Sequence, residues 1–187
     1  MNSQEKHISI YTDGSSRGNP GPGGYGAVIG FDADILAEHD YVYEIGGHDA
    51  HTTNNRMELM GVIASLRAVQ EEVKKAGRSV TVVVTVHTDS AYVLGGIGSW
   101  VAGWEKNGWK TANKKPVLNQ ELWQPLMVLV RSFGKNLHTK KVAGHSGVLL
   151  NERADVIATS FADKDNTPLF RGTKENYKEF FKGLPLM

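Results

Sequence analysis

Residues 11–30 read YTDGSSRGNPGPGGYGAVIG and hold the features that decide the fold. The stretch begins inside HISIYTD, residues 7–13, in which Ile and Tyr alternate with polar side chains. This alternation predicts a first strand over residues 7–12. The carboxylate of Asp13 follows at the exit of that strand. The next residues are almost all Gly, Pro, Ser and Asn, which end the strand and form a turn. The segment GYGAVIGF then predicts a second strand, so a carboxylate lies beside the turn of a strand pair.

The rest of the chain alternates strand and helix patterns. A third strand is expected over residues 41–47, and a long helix over residues 52–77, with Gly77 at its end. Residues 79–89 are nearly continuous Val and Thr, which is typical of a buried central strand. Helical pieces interrupted by glycines are expected over residues 90–108, and a further helix over residues 119–133. A strand is then expected over residues 137–145 and a last helix over residues 151–163. This order predicts a mixed α/β domain with helices covering the sheet.

Composition restricts the classes of protein to consider. The chain has 187 residues, no cysteine and a net charge of +1, which suits one domain with a short appendix. The lack of cysteine excludes disulfides, thiolate chemistry and Cys-based zinc sites. No apolar run is long enough to span a bilayer, and the N-terminal MNSQEKHISI has no apolar stretch of signal-peptide length. We therefore expect a cytoplasmic protein with no membrane partner.

The composition changes near Thr167, and we place a domain boundary there, with a main domain over residues 1–165 and an extension over residues 166–187. The extension predicts one helix with Thr173 as its N-cap and Gly183 at its end. An apolar stripe on that helix either docks on the domain or binds a partner chain, and docking is the favoured interpretation. The stripe consists of Tyr177, Phe180, Phe181 and Leu184.

Four acidic residues stand where ligand chemistry is expected. Asp13 and Asp89 each follow a β-rich run, and strand ends leave a crevice in open α/β sheets. Glu58 and Asp155 lie in what we expect to be early helical turns. Two of them have an ordinary structural explanation. Asp89 would cap the helix that starts near Ala91, and the negative charge of Glu58 would be stabilised by the positive end of the helix dipole. If all four converge, their repulsion requires a hard divalent cation, Mg²⁺ or Mn²⁺, and two such ions suit phosphoryl displacement.

One segment is strongly basic. WEKNGWKTANKKP, residues 104–116, contains two tryptophans and a group of lysines, a mixture that suits bases and phosphates. The alternative is a solvated loop whose tryptophans pack inward. The lysines are Lys106, Lys110, Lys114 and Lys115.

Five motifs together resemble the bacterial branch of the type 1 ribonuclease H family over roughly residues 8–162. They are YTDGSSRGNPGPGGYGAVI, TTNNRMELM, TDSAYV, GWKTANKKPV and GHSGVLLNERADVIA. The resemblance implies a ribonuclease H-like fold with a five-stranded mixed sheet, three strands antiparallel and the others parallel, flanked by helices; the C-terminal helix is extra. It also implies a monomer that hydrolyses the RNA strand of RNA–DNA hybrids with two metal ions, leaving 5′-phosphate and 3′-hydroxyl ends.

The resemblance also implies roles for individual residues. The metal-binding acids of the family fall on Asp13, Glu58, Asp89 and Asp155, and its loop histidine, linked to proton transfer or product release, falls on His145. Residues that read the 2′-hydroxyl match Ser16, Asn19, Asn54 and Asn55, and a pocket for a DNA-strand phosphate matches Thr53 and Asn119. The basic segment matches a protruding handle in which Trp100, Trp104 and Thr111 lie near the DNA strand, and the glycine-rich run is expected to let a nucleic-acid backbone come close.

The sequence departs from the family in a few places. Ala91 stands where many members carry Gln, His51 where Arg often supports the phosphate pocket, and residues 148–150 are more apolar than usual. Two other functions stay open at this point: a hybrid-binding module that has lost catalysis, and another metal-dependent nuclease on the same fold.

Overall fold

Six strands form one mixed sheet in this computed structural model, which describes residues 5–77, 82–143, 148–165 and 167–183. The strand order is β5-β4-β1-β2-β3-β6. The first three strands pair antiparallel, β4 pairs parallel with β1, and β5 pairs parallel with β4. The strands are β1 (Lys6–Ser16), β2 (Gly21–Phe31), β3 (Tyr41–Thr52), β4 (Val82–Thr88), β5 (Leu137–Lys141) and β6 (Arg171–Thr173).

The predicted fold class is confirmed, and the strand count needs correction. The expected five strands are present, but the C-terminal segment adds β6, which pairs antiparallel with β3 through Tyr41–Thr173, Val42–Gly172 and Tyr43–Arg171. A three-residue strand carries too little alternation to be recognised in a sequence. It forms here because the edge of β3 offers unpaired backbone groups.

The helices flank this sheet on both faces. The long helix α1 begins after Thr53, whose hydroxyl accepts from the N–H of Arg56, and ends at Gly77, which has a positive φ of 62°. Residues 91–106 form an almost continuous helix with a π-helical turn, Gly96–Trp100, in its middle. The helices are α1 (Asn54–Ala76), α2 (Ala91–Gly95), α3 (Val101–Lys106), α4 (Gln120–Phe133), α5 (Leu149–Asp163) and α6 (Lys174–Lys182).

The apolar core is divided by the sheet. On one face, Ile8, Ile10 and Val86 from the strands pack with Leu66 of α1 and Trp123 of α4. On the other face, a smaller cluster forms from Val28, Val42, Ile157 and Tyr177. Neighbouring residues of β2 serve opposite layers, since Ile29 belongs to the first cluster and Val28 to the second, as the pleat of a strand requires. Within the described residues, no helix has both the length and the apolar character to cross a membrane.

Two expectations about the acidic residues are wrong in detail, and one alternative explanation is excluded. Asp13 lies inside β1, three residues before its end, rather than at its exit. Glu58, expected in the first turn of its helix, lies just beyond the first turn of α1, whereas Asp155 lies in the second turn of α5, an early turn as expected. The hydroxyl of Ser90, not the carboxylate of Asp89, caps α2 by accepting from the N–H of Val93. Neither capping nor a place in the first turn therefore explains these carboxylates.

The C-terminal helix begins and packs as its pattern indicated. Thr173 caps it by accepting from the N–H of Asn176, and the helix ends at Lys182, before Gly183. Tyr177 is buried, and Phe180 and Phe181 pack against the same cluster. Leu184 lies outside the described residues, and the domain boundary near residue 166 stays a prediction.

Candidate active site

Strand register brings two carboxylates together. Tyr11 of β1 is paired with His87 of β4, and their rings stack with centroids 4.3 Å apart. Asp13 and Asp89 each lie two residues further along, so their side chains project from neighbouring strands on the same face. Carboxylate oxygens of Asp13, Asp89 and Glu58 lie within 4.8 Å of one another. We call these three residues together with Asp155 the acidic cluster.

Glycines allow the helices that carry the other two acids to approach the sheet. A Cβ at Gly14 would collide with the backbone of Glu58 in α1. A Cβ at Gly26, which pairs with Asp13, would collide with the carbonyl of Ala154 in α5. These two glycines therefore admit the backbones of α1 and α5. The expected approach of a nucleic-acid backbone to the glycine-rich run stays a prediction.

Asp155 joins the cluster from α5 but is not part of the mutual group of three. Its charge contributes to raising the pKa of Asp13. The hydroxyl of Thr159, one turn later, lies 3.4 Å from its Oδ1. His145, the expected loop histidine, lies outside the described residues.

The charges that act most strongly on Asp13 and Glu58 are those of the other carboxylates in the cluster. Burial, followed by the charges of Asp89 and Asp155, raises the pKa of Asp13 from 3.8 to about 7. Burial and the charges of Asp13 and Asp89 raise the pKa of Glu58 well above its usual range. The buried Oε2 of Glu58 has no hydrogen-bond partner, although Asn54 Nδ2 lies 3.4 Å from its Oε1.

This donor set fits a hard divalent cation. It consists of carboxylate oxygens, one of them buried without a partner, and Mg²⁺ and Mn²⁺ prefer such ligands. A cation would also remove the repulsion that raises the two pKa values.

A second group of polar residues lies at the start of α1. Asn119 has a left-handed backbone conformation. Its Oδ1 accepts a hydrogen bond from Arg56 Nη1 at 3.3 Å, and its Nδ2 donates to the hydroxyl of Tyr92 at 3.2 Å. Trp123 Nε1 also donates to that hydroxyl, at 3.0 Å. Arg56 and Tyr92 were not predicted. A signal existed for Arg56, because a basic residue in the first turn of a helix opposes the helix dipole and suits an anion.

The basic segment combines both interpretations made from its sequence. Both tryptophans of the segment, Trp104 and Trp109, pack against the main core cluster, and the ring centroid of Trp104 lies 5.8 Å from that of the buried Trp123. Trp100, which precedes the segment, is 43% exposed. Thr111 is half-buried, and its N–H donates to the carbonyl of Lys115 at 2.8 Å. Glu105 pairs with Arg131 at 2.6 Å, which leaves a local excess of positive charge. The exposed lysines are Lys106, Lys110, Lys114 and Lys115.

The residues expected to read the 2′-hydroxyl lie in two places, around the turn between β1 and β2 and at the start of α1. Ser16 ends β1 and is half-buried, and Asn19 is exposed in the following turn. Asn54 and Asn55 are exposed at the start of α1, next to the capping residue Thr53. Only Asn54 contacts the acidic cluster among the interactions described. Both Ala91 and His51 are exposed.

Comparisons with known proteins agree with this architecture. A family model described as RNase H matches residues 5–163. The ribonuclease H of Rhizobium johnstonii is 47% identical over 153 residues, which are 82% of this chain and 89% of that protein. The ribonuclease H of Brucella anthropi is 48% identical over 153 residues, which are 82% of this chain and 88% of that protein.

Solved structures give the same fold. LC9-RNase H1, a type 1 RNase H with the type 2 active-site motif, has a TM-score of 0.73 at 28% identity and covers 95% of this chain and 82% of its own. The foamy viral protease-reverse transcriptase in complex with an RNA/DNA hybrid has a TM-score of 0.65 at 16% identity, over 88% of this chain and 21% of that one. That second likeness concerns the fold alone.

Proposed function

The chain belongs to the ribonuclease H family and is an endonuclease for RNA–DNA hybrids, and we propose that it cleaves the RNA strand at the acidic cluster. The observation that carries this proposal is the convergence of Asp13, Glu58 and Asp89, with carboxylate oxygens within 4.8 Å of one another. Such an arrangement costs free energy in the absence of a cation, and strongly perturbed carboxylates in a cleft are typical of functional sites.

Asp13, Glu58, Asp89 and Asp155 are the residues that would hold divalent cations. We propose two Mg²⁺ ions, with Mn²⁺ as a substitute, when substrate is bound. When bound, the ions would supply a nucleophilic water and stabilise charge on the oxygens of the phosphodiester, leaving 5′-phosphate and 3′-hydroxyl ends. The acids hold and orient this site, and His145 would transfer a proton or aid product release.

The surrounding residues would bind the hybrid. Asn119 and Arg56, with Thr53, form a polar group suited to a phosphate of the DNA strand, because Arg and backbone or side-chain amides bind phosphate oxygens. The amides of Asn19, Asn54 and Asn55, together with the hydroxyl of Ser16, would contact the 2′-hydroxyl that distinguishes RNA. Exposed lysines of the basic segment would bind backbone phosphates, with Trp100, Trp104 and Thr111 near the DNA strand.

We further propose that the protein acts as a monomer in the cytoplasm. The charge pattern supports a nucleic-acid partner, because the basic segment and the acidic cluster lie in one chain. The phosphates of a nucleic-acid backbone complement the basic segment, and the cations associated with them complement the acidic cluster.

The test is a substrate panel. Hybrid, double-stranded RNA, double-stranded DNA and single strands are incubated with Mg²⁺, with Mn²⁺ and with excess chelator. We expect cleavage only of the RNA strand of the hybrid, and only with a cation. Hybrid binding without cleavage would indicate a module that has lost catalysis, and cleavage of duplex DNA would indicate a different nuclease.

A further inference from the structure

A second pair of charged residues lies deep in the molecule. The side chains of Glu44 in β3 and Arg153 in α5 are 0% and 2% exposed. Arg153 donates to both carboxylate oxygens of Glu44, from Nε to Oε1 at 2.8 Å and from Nη2 to Oε2 at 2.8 Å. This bidentate geometry is the strongest and most directional form of such a pair.

Residues of the C-terminal segment complete the bonding of this pair. The hydroxyl of Tyr177 donates to Oε1 of Glu44 at 2.8 Å, and the N–H of Phe170 donates to Oε2 at 2.9 Å. Arg153 Nη2 also donates to the carbonyl of Pro168 at 2.7 Å. Without these groups, a buried pair would retain unsatisfied hydrogen-bonding capacity, which is costly. Residues 167–183, which we call the C-terminal segment, lie beyond the end of the family match at residue 163.

Arg153 is connected to the acidic cluster through its helix. It lies two residues before Asp155 in α5, so the two side chains are about 200° apart around the helix axis. A rotation of α5 that directs Arg153 toward β3 and the C-terminal segment therefore directs Asp155, on the opposite side of the helix, toward Asp13. The beginning of α5 has no side-chain cap to fix this rotation, because Val148 occupies the N-cap position. The contact of Ala154 with Gly26 sets the distance of the helix from the sheet.

We propose that the C-terminal segment is a positioning element for the cation site. Through Tyr177 and Glu44 it fixes Arg153, and through Arg153 it fixes the rotation of α5 that presents Asp155. This inference rests on the proposed role of Asp155 as a residue that helps to hold the cation. It differs from a role in stability alone because it predicts that cation affinity changes when the tail contact is altered.

The central test compares two variants of α6. Tyr177→Phe removes one hydrogen bond to Glu44 and keeps the ring, whereas Phe181→Leu removes apolar contacts and leaves Glu44 untouched. The affinity for Mn²⁺ is measured by calorimetry without hybrid, and the melting temperature is measured alongside. We expect Tyr177→Phe to weaken Mn²⁺ binding roughly threefold to tenfold, somewhat below the loss seen when direct outer-shell partners are removed. Phe181→Leu should lower the melting temperature and leave the Mn²⁺ affinity unchanged.

Two further variants make the result decisive. Arg153→Lys keeps the charge but loses the bidentate geometry, and should weaken Mn²⁺ binding at least as much as Tyr177→Phe. Asp155→Asn tests the underlying role. If Asp155→Asn weakens Mn²⁺ binding and the folded Tyr177→Phe protein does not, the positioning role is wrong and the proposed site stands. If Asp155→Asn has no effect, the proposed role of Asp155 is wrong. Equal weakening in Tyr177→Phe and Phe181→Leu would also overturn the inference.

In cleavage assays, a positioning role gives a second signature. The Mg²⁺ concentration for half-maximal cleavage should rise in Tyr177→Phe, and excess Mg²⁺ should restore kcat. The assay is run at a temperature at which circular dichroism shows each variant fully folded, because Mg²⁺ also stabilises the folded state. Under that condition, a variant that is only less stable would reach half-maximal cleavage at the wild-type Mg²⁺ concentration.

Discussion

The buried carboxylate of Glu44 in β3 and the acidic cluster lie beside the same sheet, and the protein surrounds them in opposite ways. At Glu44, both carboxylate oxygens are bonded by Arg153, and Tyr177 and the backbone of Phe170 add further hydrogen bonds. At Glu58, one buried oxygen has no hydrogen-bond partner, and the nearest charged groups are the like charges of Asp13 and Asp89. The first arrangement is complete within the protein, whereas the second requires a ligand.

The difference teaches how to separate structural from functional charge. A buried carboxylate with a bidentate partner contributes to a unique packing arrangement, and removing one member leaves an unpaired charge. A group of carboxylates in which repulsion and burial raise the pKa values of Asp13 and Glu58 is unfavourable to the fold, and its presence points to selection for another purpose. The predictions below ask whether the two groups respond to mutation in opposite ways.

The largest effect is expected on catalysis. Asp13→Asn and Asp89→Asn should each lower the rate of hybrid cleavage by about 10³-fold or more, beyond the effect of losing one transition-state hydrogen bond. Hybrid affinity should stay equal or increase, because a negative charge near phosphate is removed. Single-turnover cleavage and fluorescence anisotropy measure the two quantities, and circular dichroism confirms folding. Cleavage at the wild-type rate by a folded Asp13→Asn protein would contradict the assignment.

The second effect concerns stability. Glu44→Leu leaves the charge of Arg153 buried without its carboxylate partner, and we expect a loss of about 3–5 kcal/mol in the free energy of unfolding. The double variant Glu44→Leu/Arg153→Met removes both charges and should recover most of that loss. Urea denaturation of the two single variants and the double variant gives the coupling free energy. If Glu44→Leu proves neutral, this pair is not the structural counterpart of the acidic cluster.

The convergence of Asp13, Glu58 and Asp89 could be predicted from the sequence, whereas the packing that brings them together could not. Asp13 and Asp89 follow similar β-rich runs, so their proximity follows once β1 and β4 are neighbours. The burial of Glu58 depends on the approach of α1 to Gly14, and a long-range approach of this kind leaves no periodic signal. The cap by Ser90 was missed because Asp and Ser are both good N-caps, and only geometry distinguishes them.

The structural role of the C-terminal segment was predicted only in outline. Its apolar stripe indicated docking, and Tyr177 is indeed buried. The bonds to Glu44 and the pairing of β6 join residues more than 120 positions apart, as in Phe170 and Glu44, and local patterns contain no information about such partners. The pairing of Arg153 with Glu44 was not predicted, for the same reason.

A smaller effect is expected on the pH dependence of stability without cations. The pKa of Asp13 is raised from 3.8 in the unfolded chain to about 7 in the folded protein. The folded state therefore binds the proton more tightly, so the free energy of unfolding should fall as pH rises from about 4 to about 7. We expect the part due to Asp13 to be about 1–2 kcal/mol, below the full value of the shift because the residue is partly exposed.

The measurement is the melting temperature in chelator at pH 5 and at pH 8, for the wild-type protein and Asp13→Asn. The variant should gain several degrees relative to wild type at pH 8 and little at pH 5, where the wild-type carboxyl is already protonated. Added Mg²⁺ should narrow the difference at pH 8 by stabilising only the wild type. A difference that is the same at both pH values would contradict the raised pKa.

The smallest effect is expected at an exposed pair in the same C-terminal segment. Lys174 Nζ lies 3.1 Å from Asp40 Oδ2, with the two side chains 61% and 43% exposed. The hydrogen bond from Lys174 lowers the pKa of Asp40, so any stabilisation is present above the unfolded pKa and is lost as pH falls through the folded one. Water and salt screen this pair, and Lys174→Ala should change the free energy of unfolding by less than about 0.5 kcal/mol, with no effect on Mn²⁺ affinity. Urea denaturation at low and high salt measures the change. A loss comparable to that of Glu44→Leu would mean that the position of the segment on β3, rather than the burial of the Glu44–Arg153 pair, determines the stability of this region.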